Sequence, residues 1–415
     1  MKYVLIIGDG MADNPVPELG GVTPLEYAKT PAMDALADAG LFGNVKNCPD
    51  GLPPGSDTAI LSIFGCDPRD CYTGRAPLEA AATGIALVPG DIAYRCNMVT
   101  FEDSDADWTD KKILSHSAGS IEGEQSEEIV KALFADATFS AAAAKAGMVV
   151  YPAQSFRHIA VQSGASIDGV KLSPPHDHLG EKIGAILPAN KDGSANPNAE
   201  TLKSLMKLAH EVLNHHPLNE ARRAAGKMPA NGIWFWAEGT AVKLPNFVET
   251  YGKTGGVISA VPLCHGIANL VGLDRVYVEG ATGELDTNYD GKVKAAMQVL
   301  KSHPFVAVHV EAPDECTHNG DTPGKLEAIQ RLDSLVVGPI IERLRLTRED
   351  FRVLILSDHK TLTSTRGHDG TPVPFVIYDS RRDRKNGYTY REIDGEKGLT
   401  VAAGIELMGL LFGED

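Results

Sequence analysis

Three short apolar runs stand out along the chain, at residues 3–7, Phe305–Val310 and Phe351–Leu356. Each is rich in Val, Ile and Leu and lacks polar alternation, the pattern of parallel strands buried on both faces. Each ends abruptly in polar residues: Gly8-Asp9-Gly10, Glu311-Ala-Pro-Asp314-Glu-Cys-Thr-His318, and Ser357-Asp358-His359. Helical periodicity lies between them, at Pro31–Ala39, residues 292–301 and residues 325–344. Alternating strand and helix predict an α/β fold with a doubly wound, mostly parallel sheet. Ligands of such sheets gather at the carboxyl ends of the strands, so three separate strands deliver Asp and His to one edge.

The middle of the chain reads differently. Ile92–Phe101 and residues 155–162 have strand character, and residues 125–134 and 139–146 are helical. A Pro-, Asn- and Gly-rich stretch follows at 188–197. This pattern predicts a smaller inserted α/β or α+β domain at residues 81–190 and a core formed by 1–80 and 191–415. The helix at 198–215 would lead back to the core at Ile233.

The net charge of −16 argues against a nucleic-acid surface. An anionic substrate would need Arg, Lys or metal cations concentrated at one place. The six cysteines show no paired CxxC spacing, and reduced thiols are expected. No apolar run approaches the ~18 residues of a membrane span. The first run lacks the features of a signal peptide. The expected setting is the cytoplasm, with neither membrane nor nucleic acid as partner.

Several residues carry candidate chemistry. Asp314 and His318, four apart, share a face if their segment is helical, although such a pair alone is common on surfaces. Asp358-His359 directly follows a buried strand, and His368 lies nine residues later in Arg366-Gly-His-Asp-Gly. Asp9 sits between two glycines that would let a metal or bulky anion approach closely. Ser56, in Pro53-Pro-Gly-Ser-Asp-Thr, falls at or next to a helix N-cap, which is an anion site. A metal beside it would stabilise its alkoxide. Together these groups form a two-ion site, with mixed imidazole and carboxylate ligands. Two divalent ions are expected, manganese first, with magnesium, zinc or cobalt as the other choices. No GxxxxGK[ST] phosphate loop occurs, so a P-loop kinase is not expected.

These residues sit in motifs that resemble the archaeal-type cofactor-independent phosphoglycerate mutases of the alkaline phosphatase superfamily. The resemblance runs nearly end to end. Its landmarks are Ile6-Ile-Gly-Asp-Gly-Met-Ala-Asp13, Pro54-Gly-Ser-Asp-Thr-Ala59, Tyr72-Thr-Gly-Arg-Ala-Pro-Leu-Glu-Ala80 and Tyr94-Arg-Cys-Asn97. Later ones are Gly280-Ala-Thr-Gly-Glu-Leu-Asp-Thr-Asn-Tyr289, His309-Val-Glu-Ala-Pro-Asp-Glu315 and Pro372-Val-Pro-Phe375. The resemblance implies that Ser56 becomes phosphorylated. It makes Asp9, Ser56, Asp358 and His359 ligands of one metal, and Asp314, His318 and His368 ligands of the other. The implied reaction interconverts 2-phosphoglycerate and 3-phosphoglycerate, with the inserted domain holding glycerate and closing to exclude water. Arg75, Arg95 and Arg157, with His158 beside the last, are candidates for the substrate carboxylate, and Lys360 for its phosphate. Three positions depart from the family pattern. Cys316 lies between two ligand candidates, Ser120 stands where many relatives carry a histidine that His116 would have to replace, and Lys360 follows Asp-His. The competing expectations are another phosphomutase or a metal-dependent phosphatase of the same superfamily, or a binding protein without catalysis.

Overall fold

The computed structural model describes residues 1–153, 155–382 and 384–413. The chain forms two compact units, Met1–Tyr72 with Lys243–Asp415, and Thr73–Val242. No described helix is long and apolar enough to cross a membrane.

The first unit is built on an eight-stranded sheet. Its order is Asp274–Val276, Gly255–Ile258, Phe305–Val310, Lys2–Gly8, Phe351–Leu356, Val373–Asp379, Leu41–Val45 and Leu399–Val401. The first five strands are mutually parallel. Val373–Asp379 runs antiparallel to both of its neighbours. The three apolar runs are adjacent at the centre of the sheet, and Phe305–Val310 and Phe351–Leu356 are buried throughout. Continuous apolarity is what a strand covered on both faces requires. Ile7 is level with His309 on one side and Leu356 on the other. The polar segments after the three strands therefore leave the sheet at one edge.

Residues 325–344 read as a single helix in sequence, but the structure divides them. Helix Thr322–Arg331 passes into a π-helical segment, Leu332–Val337, and resumes as Gly338–Thr347. Pro339 supplies no N–H, and its ring crowds the carbonyl four residues back, so a regular ladder cannot run through it. The wider turn places Asp333 against another helix, Pro31–Ala39. Its carboxylate accepts hydrogen bonds from Met33 N at 2.7 Å and Ala32 N at 3.2 Å. It thereby caps a helix whose own N-cap residue, Thr30, makes no side-chain capping bond.

The second unit is an antiparallel sheet centred on the fully buried strand Ile92–Phe101. That strand pairs with Arg157–Gln162 on one side and Gly232–Thr240 on the other, and Met148–Tyr151 extends the sheet beyond Arg157–Gln162. A core including Tyr94, Met98, Phe139, Leu202 and Phe235 fills one face. Ala76 and Ala80 of helix Arg75–Ala82 pack on Ala93, Ile159 and Val161 on the other. This arrangement corrects the expected boundaries of 81 and 190. Helix Pro197–Leu213 and strand Gly232–Thr240 remain with the second unit, because the strand's partner is Ile92–Phe101, with Phe235 opposite Cys96. The unit also begins earlier, since helix Arg75–Ala82 covers its sheet.

Candidate functional site

Ser56 opens helix Ser56–Ile63. Its Oγ lies 3.2 Å from His359 Nε2 and 3.4 Å from Asp9 Oδ2. Asp9, Asp358 and His359 each offer a ligand atom, all within 4.8 Å of one another, and all three residues are buried. The Asp358 Oδ1 atom accepts from Gly10 N at 3.1 Å and His359 N at 2.9 Å. These two bonds leave Asp358 Oδ2 directed at His359 Nε2, 3.4 Å away. Asp9 Oδ1 lies 3.4 Å from the same nitrogen. Neither oxygen has a hydrogen-bond partner among the described residues, although both are buried. Nδ1 of His359 lies 3.2 Å from both Lys360 O and Thr361 Oγ1. Donating its proton there leaves Nε2 bare. Two orphaned carboxylate oxygens and an imidazole lone pair converging among buried residues fit a divalent cation.

Asp314, His318 and His368 form a second group with ligand atoms within 4.8 Å. Helix Ala312–His318 places the first two one turn apart, with His318 Nε2 3.1 Å from Asp314 Oδ2. A short hairpin, Lys360–Leu362 with Gly367–Asp369, carries His368 back to them. His318 Nδ1 is 2.7 Å from Arg366 O, which fixes its proton there. The two Nε2 atoms of His318 and His368 face each other at 2.9 Å. Nitrogens so close share a proton when no ion is present, and with Asp314 the donor set fits a second cation in that proton's place. The His359 and His368 rings, 4.3 Å apart between centroids, join the two groups into one site.

Gly10 is held at φ +58°, and a Cβ there would meet Thr361 Oγ1 and come within 2.6 Å of Asp314 Oδ1. Gly10→Ala is expected to cost about 1–3 kcal/mol and to weaken metal binding at Asp314. Thermal melting and a metal titration of the variant check both effects.

The electrostatics agree with a site made for cations. Burial, followed by the charges of Asp358, Asp314 and Glu311, raises Asp9 well above the usual carboxylate range. Asp314 is buried as well, but its hydrogen bonds from His318 and His368 outweigh burial and hold it well below that range. The same contact with Asp314 lifts His318 to about 9. Burial lowers His359.

The second unit gathers the three candidate arginines around one carboxylate. Arg75 Nε is 3.1 Å from Glu79 Oε1, and Arg95 Nε is 2.8 Å from Glu79 Oε2. A second bond joins Arg95 Nη2 to Glu79 Oε1. Arg157 lies beside them, and burial, then the charge of Arg95, bring it down to about 10. Its Nε is buried without a hydrogen-bond partner among the described residues. The Arg95 guanidinium lies over the Trp236 ring at 4.7 Å. His176 packs on Trp236 and His116 on His176. Three guanidinium groups around a single carboxylate leave net positive charge, which suits an anion.

Glu79, held at about 2 by Arg95 against the effect of its burial, ties the cluster to pH. Its folded pKa lies below its ordinary value of 4.5. The stabilisation is therefore complete above pH ~4.5 and is lost as pH falls toward ~2. Glu79→Gln is expected to cost about 3–5 kcal/mol at neutral pH, because Arg95 remains buried without its carboxylate. The variant should also lose part of the acid limb of a stability–pH profile, measurable by denaturant titration between pH 2 and 7.

Two of the expected residues lie apart from the groups described above. His158 is fully buried on the face of its strand opposite Arg157, with Ala153 N donating to its Nδ1 at 2.9 Å and Ser126 Oγ at 3.3 Å from its Nε2. Successive strand residues point to opposite faces, so neighbours in sequence cannot share this site. Lys360 donates to Asn14 Oδ1 at 2.9 Å and lines a polar cavity of about 210 Å³ with Asn44 and Glu392, apart from the seven ligand candidates. The departure at Cys316 is a structural one. Burial raises its thiol to about 11, and its sulfur faces Gly324. His116 does join the arginine cluster, where burial, His176 and Arg157 lower it. Sequence reading passed over Glu79, His176 and Trp236. It also passed over His309, the one polar residue of an otherwise apolar strand, whose Nε2 is 2.9 Å from Asp9 Oδ2.

The family model for 2,3-bisphosphoglycerate-independent phosphoglycerate mutase matches residues 37–219. The chain is 43% identical over 413 residues to the enzyme of that name from Methanosarcina barkeri, covering 99% of each. It is 43% identical over 412 residues to the one from Methanothrix thermoacetophila, again covering 99% of each. Among solved structures, a Pyrococcus horikoshii protein matches with TM-score 0.78 and 31% identity, over 100% of this chain and 98% of the other. The cofactor-independent phosphoglycerate mutase of Thermoplasma acidophilum matches with TM-score 0.63 and 25% identity, over 100% of both. Identity of this degree from end to end shows that the chain belongs to the 2,3-bisphosphoglycerate-independent phosphoglycerate mutase family.

Proposed function

We propose that the chain interconverts 2-phosphoglycerate and 3-phosphoglycerate through a phosphoserine at Ser56, in a site completed by two divalent ions. The observation that carries this reading is the placement of the Ser56 hydroxyl, at a helix N-terminus and within 3.4 Å of both Asp9 and His359. Asp9, Ser56, Asp358 and His359 would hold one ion and Asp314, His318 and His368 the other. Manganese is the first choice for such mixed ligands. When bound, the ions neutralise the phosphoryl oxygens and favour the serine alkoxide.

The residues do the rest. Ser56 Oγ attacks phosphorus and the glycerate oxygen leaves. The N-terminus of helix Ser56–Ile63 favours the negative charge of the resulting phosphoserine. Arg75 and Arg157 in the second unit recognise the carboxylate of glycerate, which each phosphoglycerate shares. Glycerate then turns, and its other hydroxyl takes the phosphoryl group back from Ser56. Carboxylate recognition is what distinguishes an isomerase from a simple phosphatase here, since glycerate must stay until the second transfer.

Incubating the manganese-loaded protein with 3-phosphoglycerate tests the proposal. The expected product is 2-phosphoglycerate, with little free phosphate, and a phosphoryl group on the Ser56 peptide after acid quenching. Phosphate as the main product would instead identify a phosphatase.

A further inference from the structure

His309 belongs to none of the expected ligands, yet it contacts one of them. It lies on strand Phe305–Val310, next to the strand that leads into Asp9, and is 1% exposed. Its two ring nitrogens have different partners. Nε2 is 2.9 Å from Asp9 Oδ2, and Nδ1 is 3.1 Å from Ser259 Oγ. Val261 N donates to the same Ser259 oxygen at 2.9 Å, and because an ionised carboxylate only accepts, the Asp9 contact at Nε2 leaves Nδ1 to accept from the serine hydroxyl. The ring then carries its proton on Nε2 and donates it to Asp9. The strand is also anchored behind the ring, where the buried ammonium of Lys292 donates to His309 O at 2.8 Å.

We infer that His309 is a positioning residue for the Asp9 metal ligand. By engaging Oδ2, it fixes the rotation of the carboxylate and leaves Oδ1, which has no hydrogen-bond partner, facing His359 Nε2 and the orphaned Asp358 Oδ2. Without this bond, Asp9 can turn away from its like-charged neighbours when no cation is bound, and binding has to restore the alignment. Partners of this kind typically account for 10–100-fold in metal affinity. Ser259 acts one step further out by holding the other ring nitrogen. The inference rests on the two-ion reading of the site and adds to it a residue that touches neither ion nor substrate.

Calorimetric titration of the chelator-treated protein with manganese tests it. The wild-type chain is expected to bind two ions. In His309→Gln, the side-chain amide nitrogen takes the place of Nε2 and can still donate to Asp9, so both affinities should stay within about threefold of wild type. In His309→Asn, the amide reaches only toward Ser259, so one of the two affinities should fall about 10–100-fold while the other is retained. Equal affinities in the Gln and Asn variants, whether both native or both weakened, would overturn the positioning role. Should Asn fail to fold, Ser259→Ala serves in its place, with a smaller loss confined to the same ion. Unchanged affinities there would likewise overturn the inference. A wild-type chain that binds fewer than two ions would defeat the two-ion reading itself, which separates the two failures.

Discussion

Ser56→Ala is expected to lower turnover of 3-phosphoglycerate by on the order of 10⁵–10⁶-fold, the usual scale for loss of a nucleophile. Among the described residues no other hydroxyl combines a helix N-terminus with contacts to Asp9 and His359. Folding should hardly change. Gly55 is the N-cap of this helix, and Ser56 is its first residue, so alanine removes no capping bond. Stability is expected to stay within about 1 kcal/mol of wild type, and manganese should still bind through the remaining carboxylates and imidazoles. A coupled assay for 2-phosphoglycerate, together with a thermal melt, measures both effects. A variant that keeps more than about one per cent of turnover would take Ser56 out of the reaction.

Removing the metals is the second large perturbation. Asp9 and Asp358 are each 1% exposed, and Asp314 and Glu311 add to the charge around Asp9. Such a concentration of buried carboxylate is unfavourable unless cations offset it. Exhaustive chelation should therefore abolish activity and also lower the melting temperature by several degrees. Each ion held at one hundred times its Kd contributes about 3 kcal/mol, and manganese should restore both properties. Full activity and an unmoved melting curve after chelation would refute the metal centre.

What the sequence revealed follows from how local each signal is. The three central strands were legible because an unbroken apolar run of five or six residues that ends in Asp or His seldom arises away from a buried strand at a ligand site. The groups at their ends come together because the strands are adjacent, parallel and level. Long-range facts were not legible. Nothing near Gly232–Thr240 tells that its partner is Ile92–Phe101, so the second unit was closed too early. His158 was placed beside Arg157 by proximity in sequence, where alternation along the strand puts it on the other face. His309 was hidden because a histidine in a buried strand reads as an exception, until the carboxylate 2.9 Å away is known. Glu79 lacked a signal too, since its importance lies in arginines that come from a helix and two strands.

The π-helical segment at Leu332–Val337 bears on how this chain tolerates change in length. Deleting one residue from it would remove the wide turn while leaving Pro339 in place. Everything downstream would then rotate by about 100°, turning Ile340, Ile341 and Leu344 out of their buried positions and pulling Asp333 off the amides of Ala32 and Met33. The wide turn thus acts as a fixed phase offset between two halves of one rod, and shortening it by a single codon should be far more damaging than most substitutions within it.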